Sequence, residues 1–162
     1  RLLRRASSLQ REVERLRQVL TEFLEFAGEI RLDTRAVDIR MIAEELADFF
    51  TPQAQSQGVR LRLEQAPGPL VVALDANHVK QALLNLMLNA VQAMARATDA
   101  GRPRELILRT RGDDAEAAIH VIDSGPGIEP ATLQRMFTPY FTTRAGGTGL
   151  GLPIARRIAE AH

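Results

Sequence analysis

The chain has 162 residues, 45% of them hydrophobic and 25% charged, which is the composition of one globular domain and excludes a low-complexity or disordered chain. With 21 basic against 20 acidic residues the net charge is +1, so electrostatics give no case for nucleic acid or a charged membrane surface as a partner. There is no cysteine, which excludes a disulfide framework and a thiolate metal site, and no apolar run approaches the ~20 residues that span a bilayer.

The first predicted element is one long helix. Leu2, Ala6, Leu9, Val13, Leu16, Leu20, Phe23, Ala27 and Ile30 step by four and three in alternation, with Arg, Glu and Gln between them. That is a heptad seam, and a helix of this length cannot bury such a stripe alone. The pattern predicts a helical hairpin or a homodimer through residues 1–30, against the plainer alternative of an amphipathic helix packed on its own domain. Residues 1–17 are a charged helix pattern and not a signal peptide. Polar residues 31–36 read as a linker, and the main domain is expected over 37–162.

In that domain, residues 39–54 form an amphipathic helix with Ile42, Leu46, Phe49 and Phe50 apolar and Pro52 late in it. Gly58 breaks the chain. Val59, Leu61 and Leu63 then alternate with Arg60, Arg62 and Glu64, the pattern of a half-buried strand. Pro67-Gly68-Pro69 is a turn, and residues 70–74 are a second strand. Asp75 is placed to cap a long helix reaching about Ala97. After a loop at 99–103, strands at 105–111 and 116–123 flank Gly112-Asp113-Asp114 and read as a hairpin. A loop-rich stretch covers 124–147, and a last helix starts near Gly149. Helices followed by mostly antiparallel strands predict an α+β fold, a two-layer α/β sandwich preceded by a long coiled-coil-like helix.

Four elements carry chemistry. On the helix after Asp75, Val79, Leu83, Leu86, Ala90 and Ala93 make one apolar face, and Leu84, Met87, Leu88 and Val91 another. Between them Gln81, Asn85, Asn89, Gln92 and Arg96 fall on one line. Asparagine is a poor helix former, and its neutral carbonyl oxygen suits a hard cation already bound to phosphate and water. Taken alone, these side chains are as readily satisfied by backbone or solvent. The second element is Asp123-Ser124-Gly125-Pro126-Gly127. Asp123 shares the parity of Ile119 and Val121, so it is expected to end its strand facing the interior at the rim, where an adenine amine would suit it as a donor. By itself this motif is weak, and a strand ending in a tight turn is the readier explanation of an isolated match. The third is Gly146-Gly147-Thr148-Gly149-Leu150-Gly151-Leu152-Pro153, glycine-rich backbone entering a helix, which presents N–H groups to anions. No Lys-Ser/Thr follows it, so it is not a P-loop. The fourth is 136–144, with Phe137, Tyr140 and Phe141 between glycine-rich flanks. It reads as a lid, or as a surface loop with packing phenylalanines, and Arg144 is placed to meet a terminal phosphate.

In this order and spacing the motifs resemble the catalytic and ATP-binding domain of sensor histidine kinases. These belong with DNA gyrase, the MutL repair proteins and the mitochondrial dehydrogenase kinases to the superfamily of the Bergerat ATP-binding fold. Asn85-Leu-Met-Leu-Asn89-Ala resembles the N box, Asp123-Ser-Gly125-Pro-Gly127 the first glycine box, Phe137-Thr-Pro-Tyr-Phe141 the F box, and Gly147-Thr-Gly149-Leu-Gly151-Leu the second glycine box. The F box with Thr142-Thr143-Arg144 is most similar to kinases of the nitrogen-regulation type. The resemblance implies ATP and Mg2+ as ligands. It implies that Asn89 holds the metal, that Asn85 lies near the phosphates with Gln92 and Arg144 beside the reaction, and that Asp123 reads adenine. Nucleotide contacts are implied at Gly125, Gly127 and Ile128, at Phe137, Phe141 and Thr142, and at Gly147, Thr148, Gly149, Leu150, Gly151 and Leu152.

The same resemblance implies transfer of the γ-phosphate to a histidine and then to the receiver domain of a response regulator. It implies a cytoplasmic location, with any membrane anchor outside these residues and no membrane contact by them. The long helix resembles the second helix of the family's dimerisation and phosphoacceptor hairpin. Two departures bear on it. The family's phosphoacceptor histidine has no counterpart here, since His78, His120 and His162 all read as structural or solvated. The family also continues past the last helix with a strand hairpin, so the sheet is expected to have an exposed edge. The alternatives are an ATP-driven conformational switch, a serine-kinase regulator of the same superfamily, or a degenerate nucleotide-binding or dimerisation module.

Overall fold

The computed structural model describes residues 2–96, 103–113, 115–144 and 146–162. The expectations for Ala97, for 99–102 of the following loop, for Asp114 of the hairpin turn and for the side chains of Leu2, Ala6 and Leu9 lie outside the described residues.

Helix α1 spans Leu2–Ala27, and strand β1, Arg35–Asp38, begins inside the stretch expected to be a linker. β1 pairs antiparallel with β3, Val71–Leu74, so that Asp38 faces Val71. Helix α2, Ile39–Ser56, starts where the Asp38 side chain accepts the Arg40 N–H at 3.0 Å, and the same Oδ1 accepts Leu70 N–H at 3.1 Å. One carboxylate thus caps the helix and fixes the entry to β3. The α2 residues Ile39, Ile42, Ala43, Leu46, Ala47, Phe50 and Ala54 are buried at the three-and-four spacing of one helix face. Phe49, expected to be apolar surface of that helix, is exposed. Pro52 does not end the helix, which runs four residues further.

Strand β2, Arg60–Glu64, pairs with β4, Glu105–Gly112, and β4 pairs with β5, Ala117–Asp123. The β4–β5 pairing is the expected antiparallel hairpin, whereas β2–β4 is parallel. A parallel pair needs a long crossover, and here β3 and helix α3, Ala76–Arg96, lie between the two strands. The strands therefore form a three-stranded mixed sheet in the order β2-β4-β5 beside the two-stranded β1-β3 sheet. Along β4, Leu106, Leu108 and Thr110 are buried and alternate with Glu105, Ile107 and Arg109. On the alternate positions Glu64 pairs with Arg62 and Arg109, and Arg62 reaches Glu105 at 3.3 Å.

The inward side chains meet α2 and α3 in two apolar clusters. Leu46, Leu74, Leu83 and Leu108 belong to one, and Phe50, Val59, Met87 and Leu106 to the other. This is the expected two-layer α+β sandwich. The buried face of α3 is Leu83, Met87, Ala90, Val91 and Met94, and Ala93, expected on an apolar face, is exposed. After the short helix α4, Pro130–Leu133, helix α5, Gly151–Ala161, packs Leu150, Ile154 and Ile158 against Ala82 of α3 and against Phe26 and Ile30.

That last contact changes the reading of α1. Ile30 lies beyond the end of the helix and packs on the domain, so the seam along the helix ends at Ala27. The residue of α1 that joins Ile30 there is Phe26, which is off the seam. Val13, Leu16, Leu20 and Leu24 are exposed. Among the described residues no helix is long and apolar enough to cross a membrane.

Candidate functional site

The polar line of α3 lies beside the two clusters. Gln81, Asn85, Asn89 and Gln92 are half-buried and Arg96 is exposed. The helix is held at its start by Asp75, whose Oδ1 accepts the N–H groups of Asn77 and His78 at 3.0 and 3.1 Å. Its Oδ2 accepts Asp33 N–H at 2.9 Å and lies 2.9 Å from His78 Nδ1. These N–H groups, first that of Asp33 and then that of His78, hold the buried Asp75 carboxyl far below the usual carboxylate range. Asp75 N–H donates to His162 Nε2 at 3.1 Å, which leaves Nδ1 to carry the proton toward Ile158 O at 2.7 Å. His78 and His162 thus serve the scaffold, and His120 is exposed.

At the other end of α3 the second element comes in. Asp123 ends β5 opposite Leu106. Ile119 and Val121 pack inward, as their parity predicted, and Asp123, opposite the buried Leu106 on that same face, is exposed at the rim of the strand. The reason is local: the chain turns at once, and Asp123 Oδ1 bends back to accept Gly125 N–H at 2.8 Å. A Cβ on Gly125 would stand 2.6 Å from that oxygen and 3.5 Å from Met94 of α3, so the turn presses its backbone against both. Gly127 follows with a positive φ, and Ile128 is exposed.

The lid and the second glycine box are knitted together. Tyr140 N–H donates to Gly149 O at 3.1 Å. Gly149 has φ +70°, and a Cβ there would lie 2.5 Å from the Tyr140 carbonyl carbon, so only glycine fits. A Cβ on Gly147 would lie 2.6 Å from Thr142 Oγ1 and 3.2 Å from Arg144 Nε. Thr142 Oγ1 itself accepts Arg144 N–H at 3.0 Å. Phe137 is exposed with Arg156 over its ring at 5.7 Å, and Phe141 is half-buried with Arg135 over its ring at 4.4 Å. These two stacking arginines were not expected from sequence, because no periodic pattern links a loop residue to the ring it covers.

The glycine-rich turn leads into α5, where Gly151 lies against α3: its Cβ would stand 3.7 Å from the Asn85 side chain. No side chain caps α5, so its first N–H groups keep the arrangement that binds anions. Leu150, expected among the nucleotide contacts, has its side chain in the core, and its N–H donates to Thr148 Oγ1 at 3.4 Å. Burial, and then the neighbouring Arg96, lower the Arg144 guanidinium from its ordinary value, while Glu22 acts in the opposite sense. Gln92 Oε1 on the same helix is buried without a partner among the described residues. The structure therefore brings Asn85 to Gly151 and Gly125 to Met94 along α3, and Gly147 to Thr142 and Arg144 of the lid. Asn89 stays on the line of Asn85 without such a contact, and Gly127 and Ile128 stand out on the turn.

The sequence pattern of the histidine kinase-, DNA gyrase B- and HSP90-like ATPases matches residues 74–162, and the chain belongs to that family. It is 35% identical over 155 residues to the sensor histidine kinase ZraS of Klebsiella oxytoca, an alignment that covers 95% of this chain and 32% of the relative. Crystal structures agree. That of full-length ShkA in complex with AMPPNP superposes with a TM-score of 0.81 at 27% identity, covering 96% of this chain and 33% of the other. That of the histidine kinase ThkA in complex with the response regulator TrrA gives 0.74 at 26% identity, covering 94% and 42%. The chain spans about a third of the length of the ZraS relatives it matches.

Proposed function

We propose that this chain is the nucleotide-binding, catalytic part of a protein histidine kinase that passes the ATP γ-phosphate to a histidine and onward to a response regulator. The observation that carries the reading is the packing of the glycine-rich turn between Asn85 of α3 and the Thr142–Arg144 end of the lid, with no room for a side chain at Gly149 and a tight fit against the Thr142 and Arg144 side chains at Gly147. Such a turn offers backbone N–H groups to phosphate oxygens with cations close by. The likeness to ShkA, whose structure holds AMPPNP, and to ThkA, whose structure holds its response regulator, supports both ligand and partner.

In this reading Asp123 accepts the adenine amine while Gly125, Gly127 and Ile128 lie under the base. Phe137, Phe141, Thr142 and Leu152 close over it. Gly147, Thr148, Gly149 and Gly151 bind the phosphates through backbone and hydroxyl, Asn85 and Gln92 hold them from α3, and Arg144 faces the last phosphate. The orphaned Gln92 Oε1 and the neutral amide of Asn89 fit a hydrated cation, and Mg2+, held by Asn89 and phosphate oxygens, would supply charge neutralisation there. The reaction breaks the bond between the γ-phosphorus and the oxygen that leaves with ADP, and forms a bond to a histidine nitrogen. The protein's own share is orientation and electrostatics.

The histidine comes from another helix. The exposed seam residues Val13, Leu16, Leu20 and Phe23 support α1, within residues 1–30, as one helix of a dimerising hairpin; the domain then acts on the cytoplasmic side. Neither nucleic acid nor membrane is a partner of these residues. The test has two steps. Calorimetric titration should show saturable Mg-ATP binding. Added helical hairpins bearing a histidine should then acquire an acid-labile phosphate in trans, while this chain alone does not label itself. Binding without trans-labelling would leave a nucleotide-binding switch and sink the kinase reading.

A further inference from the structure

Helix α1 touches the domain through Glu22, Phe26 and the residues just past its end, a face distinct from its heptad seam. Phe26 and Ile30 pack with Leu150, Ile154 and Ile158. The Arg157 guanidinium donates to the carbonyl oxygens of Phe26 and Gly28, the latter at 3.0 Å, and stacks 5.4 Å from the Phe26 ring centre. One helical turn before Phe26, the Glu22 carboxylate accepts a hydrogen bond from the Thr148 hydroxyl. Thr148 is the hydroxyl residue of the glycine-rich turn, between Gly149 and Gly147, where a Cβ would stand 3.2 Å from Arg144 Nε. A carboxylate therefore sits at the donors that the proposed function gives to the end of the triphosphate. Glu22 also acts on Arg144 as a nearby negative charge.

We propose that Glu22 is a built-in competitor of the nucleotide's third phosphate, so that docking of α1 on α5 and binding of a triphosphate disfavour each other while a diphosphate is tolerated. The inference rests on the ATP-site reading and goes beyond it. Two anions cannot share one hydroxyl and one guanidinium in a half-buried place without a large repulsion. An arriving terminal phosphate displaces the carboxylate. Among the described contacts, the helix is then left with the apolar seat of Phe26 and Ile30 and with Arg157. Linkage makes the effect reciprocal: whatever holds α1 on the domain weakens the triphosphate by the same factor. A triphosphate-loaded domain is released from the helix, and a diphosphate-loaded one returns to it.

The test uses this chain and Glu22→Gln, which keeps an oxygen to accept from Thr148 and removes only the charge. Affinities for AMPPNP and for ADP, each with Mg2+, are measured by calorimetry. The expected result is a gain of roughly 5- to 50-fold for AMPPNP in the variant, with ADP changed less than about twofold. An equal gain for both nucleotides, or none for either, overturns the proposal. A folded wild-type chain that binds neither nucleotide overturns the site reading itself, which is a distinguishable failure. As a second readout, spin labels at Gln10→Cys and Ala159→Cys are specific because the chain has no cysteine of its own. AMPPNP should lengthen and broaden the distance between them and ADP should not. An unchanged distance with both nucleotides overturns the proposal.

Discussion

Asp75 and Asp123 each stand just at the end of a strand, and each lies beside α3, yet they are used in opposite ways. Asp75 is buried, with both oxygens committed to N–H groups of Asp33, Asn77 and His78. Asp123 is exposed and takes one N–H, from Gly125, on Oδ1. A buried carboxylate surrounded by donors is a structural knot, because leaving those donors unpaired is costly. An exposed carboxylate at the lip of a glycine turn keeps acceptor capacity for something that arrives later. The difference separates scaffold from site where residue type and strand position do not.

The contrast is broken most directly by the site aspartate. Asp123→Asn should lower Mg-ATP affinity roughly 100-fold, since the new amide presents a donor to a donor. The nucleotide-free melting temperature should stay within about 1 °C of the wild type, as for a surface change. Calorimetry and a thermal melt together decide it. A variant that melts lower and still binds ATP would assign Asp123 to the scaffold.

The knot should behave in the reverse sense. Asp75→Ala removes the cap of α3 and strands the Asp33 N–H, and should cost about 2 kcal/mol in denaturant unfolding. ATP affinity of the folded molecules should be unchanged. Acid sharpens the same point. The carboxyls of Asp75 and Asp38 titrate lower in the folded state than their ordinary value of 3.8. Asp75 is held down by the N–H groups of Asp33 and His78, and Asp38, mainly by the Arg40 side chain, to about 2. Depressed carboxyls contribute stability that is complete above the unfolded value and is lost as pH falls through the folded one. Stability should therefore hold down to about pH 5 and fall steeply from about 4 toward 2. Asp75→Asn should make that acid limb shallower.

Much of this fold was legible because its periods are clean. The spacing by four of Ile42, Leu46 and Phe50, the alternation of Val59, Leu61 and Leu63, and the cap at Asp75 are local signals that packing did not override. Strand β1 was not legible: its four residues gain their strand form only from pairing with Val71–Leu74. Nor was the parallel β2–β4 pairing, which is decided by the crossover through α3 and leaves no mark in either strand. In the site, the order of the motifs was readable, but not which atoms they would face. Leu150 entered the core because the turn at Gly149 swings it under α5. Asp123 keeps the inward parity of its strand at the exposed rim, but that its Oδ1 would take the Gly125 N–H was not readable. The side of α1 that meets the domain is marked by Glu22 and Phe26, both hidden in sequence by a stronger apolar seam.

The smallest expected effect tests the comparison on α3 itself. Gln92 Oε1 is buried and unpaired among the described residues, the opposite of the saturated Asp75 oxygens on the same helix. A buried acceptor without a donor lowers stability unless a ligand supplies one. Gln92→Leu, of similar volume, should therefore stabilise the nucleotide-free chain by about 0.5–1 kcal/mol while weakening Mg-ATP a few-fold, roughly 3- to 10-fold. The two measurements must move in opposite directions. If the variant loses stability and keeps its ATP affinity, Gln92 belongs with Asp75 as scaffold, and the polar line of α3 is divided between packing and ligand somewhere before residue 92.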